Sequence, residues 1–215
     1  LSALHLSALG AMNACDSEKS SDTRTVVLGP EDFSIEPSTS GDELLPAWQT
    51  EAERMGAKAD QLDPRGTYPG IYGFTSAPSG ARAVAEFEPT DGVLIAWTGS
   101  MTGFFVELIR RVSEVSEIYL VTPDVGTSAS LREYFAERGV DPGRLHFLEY
   151  AHDAFWTRDF GPIPVELSDG SAAFVDARYY TNRRRDDAVP TLLSDYVDVP
   201  VFRPNLSTEG GNFMT

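Results

Sequence analysis

GVLIAWTGSMTGFFVELIRRVSEVSEIYLVT, residues 92–122, is the stretch that assigns the fold class. It opens on GVLIAWT (Gly92 to Thr98), a continuous apolar run of strand length, the pattern of a strand covered on both faces. Met101, Phe104, Phe105, Leu108, Ile109, Val112 and Val115 then recur at helical spacing and predict a helix with one apolar stripe facing the core. EIYLVT closes the stretch as a second buried strand.

Toward the carboxy end the alternation continues. Ser128 to Arg138 reads as a helix with Leu131, Tyr134 and Phe135 inward and Gly139 as its stop, and LHFLEY reads as a third strand. IPVEL and AAFVDARYY flank Asp169-Gly170, a dipeptide that favours the left-handed conformations of a tight hairpin turn. Pro190 to Val197 predicts a short helix, VPVFRP a further strand, and EGGNFMT the opening of another. Strands alternating with helices, some joined by hairpins, predict a mixed α/β domain.

Toward the amino end the character changes. Residues 16–81 are rich in Ser, Asp, Glu, Gly and Pro, with a helix expected around Leu44 to Ala59, and read as a polar tether with little core of its own. Residues 1–15 form an uncharged segment leading to Cys15, which is followed by the polar run DSEKSSD. This resembles the end of a bacterial lipoprotein signal, although Met12 stands where Leu is usual. The expectation is lipidation at Cys15 and a place in the cell envelope, lipid-anchored or secreted, with further residues preceding Leu1. The alternative is a cytoplasmic protein with an uninformative leader. The domain is expected to occupy residues 82–215.

Composition narrows the chemistry. With 17 Lys+Arg against 33 Asp+Glu in 215 residues, the net charge is −16. Nucleic acid, which is held by cationic side chains, is therefore not expected as a partner, whereas cationic substrates are favoured. No run approaches the roughly 18 to 20 apolar residues that cross a bilayer. A single cysteine leaves no intramolecular disulfide and no cysteine zinc cluster, and His146 and His152 lack a second ligand at metal spacing, so neither metal nor cofactor is expected.

Three segments carry candidate chemistry. HDAFWTRDFGPIPVE crowds His152, Asp153, Trp156, Arg158 and Asp159 into a loop between strands. The bland alternative pairs Arg158 with a surface carboxylate and lets Trp156 cap the core. YYTNRRRDD contains Arg183, Arg184 and Arg185, the only basic run of an acidic domain, able to hold a carboxylate in two-pronged geometry or else to pair with Asp186 and Asp187. TEGGNFMT carries paired glycines that let backbone approach a ligand.

In order and content together, these segments resemble the agmatine deiminase and bacterial-type peptidylarginine deiminase family. AEFEPTDGVLIAW (Ala85 to Trp97) is similar to its opening signature, WTRDFGP to its substrate-carboxylate motif, and TEGGNFMT to its Gly-Gly-Asn strand. The resemblance implies the amino-terminal blades of a pentein, a five-bladed α/β propeller. It also implies hydrolysis of a guanidinium to a ureido group with loss of ammonia, through a Cys thiolate. Within that resemblance Asp159 matches the first guanidinium-binding carboxylate and Trp156 the aromatic that packs the substrate's apolar stem. Tyr180, Asn182, Arg183, Arg185 and Asp187 look like the arginine loop of the peptidylarginine branch, which grips a carboxy-terminal carboxylate. Thr181, and Arg184 in place of a proline, depart from that loop.

The family's His-x-Asp pair and late cysteine have no counterpart before Thr215, so the 215 residues are expected to be an inactive fragment of a peptidylarginine deiminase, acting on an arginine-containing peptide or protein. The alternatives are an agmatine deiminase of putrescine biosynthesis and a non-catalytic, lipid-anchored binding protein.

Overall fold

The computed structural model describes residues 2–4, 50–51, 54, 75–76, 78–99, 102–180 and 183–214. Cys15, most of the tether, most of the helix expected around Leu44 to Ala59, and Met101, Thr181 and Asn182 lie outside the described residues.

The described chain forms two four-stranded sheets. In the first, β1 (Ser2–Leu4) runs antiparallel to β3 (Gly92–Ala96), which is followed in parallel by β4 (Glu117–Thr122) and β5 (Leu145–Glu149). Helices α1 (Thr102–Val112) and α2 (Val125–Ala136) make the crossovers. In the second sheet β2 (Arg82–Ala83) pairs antiparallel with β6 (Ile163–Glu166), β6 with β7 (Ala172–Val175), and β7 runs parallel to β8 (Val201–Phe202). A one-turn helix, α3 (Thr157–Phe160), links the sheets, and α4 (Arg184–Val197) precedes β8.

Alternation within each strand explains why the central strands are apolar throughout. Successive side chains point to opposite faces. Ile95, Ile118 and Leu120 pack with Phe105 and Ile109 of α1 and Leu131 and Phe135 of α2. Their neighbours Leu94, Ala96, Tyr119 and Val121 pack on the other face with Phe160, Phe174, Val189 and Leu193. Two cores thus share one sheet, and the second core ties it to α3, α4 and β7. Gly92 is required beneath Tyr119, whose ring would lie 2.5 Å from an added Cβ.

The hairpin at Asp169-Gly170 forms as expected: Gly170 has φ +82°, and the Asp169 carboxylate accepts the Ser171 N–H at 2.9 Å. Gly139, at φ +77°, follows the end of α2.

Three expectations are corrected. Phe104 and Val115 are 56% and 82% exposed and do not belong to the buried stripe, because α1 ends at Val112 and leaves Val115 in the following turn. The helix expected from Pro190 begins six residues earlier, at Arg184, and runs through the proline. Asp186 and Asp187 in its first turn face the positive end of the helix dipole and outweigh the proline as a start signal. EGGNFMT contains a 3-10 turn over Gly210–Asn212 where a strand was expected, with Gly210 against the backbone of α3 and Gly211 against the Asp159 side chain.

Candidate functional site

The two segments expected to carry chemistry meet between the sheets. Residues 152–156 leave β5 and enter α3 at Trp156, which is its N-cap residue. The hydroxyl of Thr157 donates to the Leu94 carbonyl at 3.1 Å and moors α3 to β3. Trp156 stacks on Phe155 at 4.4 Å and remains 37% exposed, so one face of the indole is available. Asp159 lies in the only turn of α3, half-buried. Arg158 turns away to pair with Glu86 and donates to the Phe213 carbonyl at 3.1 Å, which matches the bland reading of that side chain.

Gly210 and Gly211 bring the carboxy-terminal segment onto this helix. A Cβ on Gly210 would collide with the Arg158 carbonyl, and one on Gly211 would lie 2.7 Å from Asp159 Oδ1. Glu209 is thereby set near Asp159, where its carboxylate accepts the hydroxyl of Tyr180. Tyr180 stacks on Tyr179 at 4.4 Å. Residues 178–180, 207–209 and Asn212 enclose a cavity of about 280 Å³. Burial, followed by the negative charge of Glu209, raises the pKa of Asp159. A cation placed beside Asp159 would favour its ionised form, which burial and the Glu209 charge oppose.

Glu209 was not singled out in the sequence. Its one signal is position, directly before the paired glycines that pin the segment to α3.

The arginines separate. Arg183 is drawn wholly inside, with 0% exposure. It donates to the Tyr179 hydroxyl at 3.2 Å and its guanidinium lies 5.0 Å from the centre of the Tyr180 ring. Arg185 is exposed, with Nη1 3.6 Å from the Asp153 carboxylate. Asp186 and Asp187 are buried and hold backbone, so they are not part of a solvated loop. Asp186 accepts the N–H groups of Asp153 and Ala154 at 2.7 and 3.1 Å, and Asp187 accepts that of Tyr179 at 2.7 Å. The buried His152 bonds the Trp97 carbonyl at 2.8 Å, and burial depresses its pKa.

Among the described residues no group of three His, Cys, Asp or Glu side chains could hold a metal ion, and no helix is long and apolar enough to cross a membrane.

Gly211→Ala tests the contact that joins the two segments. The added methyl must displace Asp159 Oδ1, so guanidinium binding should weaken by about tenfold while the unfolding midpoint moves little, the carboxylate being able to turn aside. Titration with agmatine together with urea unfolding checks both halves.

Residues 82–215 match the family described as Porphyromonas-type peptidyl-arginine deiminase. A Selenomonas ruminantium protein named "Putative agmatine deiminase" is 29% identical over 119 residues, 51% of this chain and 31% of its own length. The structure of agmatine deiminase from Enterococcus faecalis superposes with a TM-score of 0.54 at 22% identity, covering 67% of this chain and 44% of that one. A structure titled as that of a "putative peptidyl-arginine deiminase" gives 0.50 at 19% identity, over 62% and 43%. The chain thus spans about a third of the length of the curated relative. The architecture is the mixed α/β pentein fold in part, as the sequence predicts. Since the family match covers residues 82–215, well over half of the chain and every segment of the cavity wall, the chain belongs to the Porphyromonas-type peptidyl-arginine deiminase family.

Proposed function

We propose that residues 82–215 supply the guanidinium-binding half of a deiminase site. The observation that carries this reading is the placement of Glu209 beside Asp159 by the paired glycines, where burial and the Glu209 charge oppose ionisation of Asp159 and a guanidinium would favour it. A guanidinium is charged at any accessible pH and offers five N–H donors in a planar fork, matching carboxylate oxygens two at a time. Trp156 would cover the methylene stem of the substrate, with its exposed face toward the ligand.

In the reaction a thiolate adds to the guanidinium carbon, a proton passes to the departing nitrogen, and ammonia leaves. Water then displaces the sulfur and yields the ureido product. The single cysteine of the chain, Cys15, lies in the leader-like segment and is proposed as a lipid attachment point on the cell envelope, not as the nucleophile. The 215 residues are accordingly proposed to bind and not to turn over.

Peptidylarginine is the leading substrate class, with Arg185 as the residue that holds a terminal carboxylate. The burial of Arg183 favours the agmatine alternative, because it withdraws one of the two expected carboxylate ligands. Calorimetric titration of the chain with agmatine, with a peptide ending in free arginine and with its amide separates these readings. Arg185→Ala should weaken the free-carboxylate peptide about tenfold and leave the amide and agmatine unchanged. Equal losses for all three would refute the carboxylate-holding role of Arg185, and no preference for guanidinium over alkylammonium ligands would overturn the site.

Binding should also depend on pH. Asp159 has a raised pKa in the free protein, and a bound cation favours its ionised form. Binding therefore releases a proton, and affinity is full above that raised pKa and falls as pH drops through it. Titrations in buffers of differing ionisation enthalpy report the proton directly.

A further inference from the structure

The guanidinium-binding reading leaves unexplained why the first turn of α4 is buried and acidic. Its Asp186 is 0% exposed and reaches out of the helix to the other wall of the site. One carboxylate oxygen takes both the Asp153 and the Ala154 N–H, at 2.7 and 3.1 Å. These two amides lie immediately before Phe155 and Trp156, so Asp186 holds the segment that carries the indole into α3 and Asp159. Its neighbour Asp187 holds the Tyr179 N–H at 2.7 Å, on the wall that carries Tyr180. One helical turn thus grips the backbone of both walls, although neither aspartate belongs to the cavity lining.

We infer that Asp186 is a positioning residue, whose carboxyl oxygen sets the 153–154 turn and through it the placement of Trp156 and Asp159 for a guanidinium ligand. The inference rests on the proposed site for its functional consequence, and on the two hydrogen bonds for its physical content.

The second oxygen of Asp186 is buried and makes no hydrogen bond. The charged groups facing Asp186 are Asp153 from the preceding loop, Arg183 at the helix start and, more distantly, Tyr179. Arg185 lies beyond, on Asp153, and His152 precedes them on the same loop. Burial, reinforced by Asp153, overcomes the two N–H bonds and Arg183 and pushes the pKa of Asp186 up to about 7. A local opening that exposes the carboxyl returns it toward about 4. The closed turn binds the proton more tightly, so the stability this adds is full below about pH 4 and is lost progressively as pH rises to about 7. Asparagine imitates the neutral form, because its carbonyl can accept the same two N–H groups.

Hydrogen exchange of the full 215-residue chain, corrected for intrinsic rates, is the test. In Asp186→Ala the amides of Asp153 and Ala154 should exchange at least about tenfold faster, the consequence of losing one acceptor shared by both, while those of β4 keep their protection. In Asp186→Asn they should stay near the wild-type level and lose its decline between about pH 4 and pH 7. Agmatine affinity, measured on the same samples, should fall about tenfold in the alanine variant and recover in the asparagine one.

Unchanged exchange at 153–154 in the alanine variant, or equal acceleration throughout β4, would overturn the positioning role. If the alanine variant does not fold, the asparagine variant decides, and a pH dependence identical to wild type refutes the inference. Correct exchange behaviour without any agmatine binding in wild type would refute the guanidinium reading and leave the turn-holding role standing.

Discussion

Arg183→Met should destabilise the protein by about 3–5 kcal/mol, the loss usual when one member of a buried charged network is removed and its partners stay behind. The guanidinium is wholly enclosed, bonded to the Tyr179 hydroxyl and set against the Tyr180 ring. Its positive charge also favours ionisation of Asp153, Asp159 and Asp186, each of which burial opposes. Without it three half-buried or buried carboxyls lose a compensating charge, and their pKa values should climb further. Arg183→Lys should recover little, since an ammonium lacks the planar fork and is more strongly hydrated. Urea unfolding followed by tryptophan fluorescence reads the effect. An unchanged midpoint with selective loss of binding to peptides ending in free arginine would return Arg183 to the carboxylate-holding role expected from the sequence.

Asp159→Asn should have the opposite profile. The substitution keeps size and one acceptor but removes the charge opposing the guanidinium. Agmatine affinity should fall about 30- to 150-fold, equivalent to about 2–3 kcal/mol for a charged hydrogen-bonded contact. Folding stability should hold or rise. A carboxyl whose pKa is raised on folding binds its proton more tightly in the native state, so its ionised form weighs against the fold at neutral pH. Removing the charge lifts that penalty together with the repulsion from Glu209. Affinity within threefold of wild type would remove Asp159 from the site. Reduced stability with reduced affinity would make it a structural carboxylate, paired like Asp176, which lies 3.4 Å from Arg203 in the interior.

The contrast between the two variants reflects how the site is built. Arg183 is enclosed and organises the wall, whereas Asp159 is half-buried with burial and Glu209 opposing its ionisation, the environment the proposed cationic ligand would relieve.

Local pattern was sufficient for much of this molecule. The apolar runs at Gly92 to Thr98 and Glu117 to Thr122, the helical spacing of Phe105, Ile109 and Val112, and the Asp169-Gly170 turn each encode their element within a few residues. Backbone geometry and the exclusion of apolar side chains from water act at that range, so the α/β class and the sheet covered on two faces follow directly. Trp156 and Asp159 were singled out by resemblance to a family motif, since local pattern alone leaves their loop open to a bland reading. Short-range reading failed where a residue's partners come from elsewhere in the chain. Arg183 looks like a solvated charge until Tyr179, Tyr180 and the acidic loops close over it, and Asp186 looks like its counter-ion until Asp153 and Ala154 present their N–H groups from 33 and 32 positions away. Glu209 acquires meaning only when Gly210 and Gly211 allow it to approach α3. Burial and the field of neighbouring charges are properties of the assembled molecule: the same carboxylate is a surface group, a helix clamp or a guanidinium ligand according to what folding places beside it.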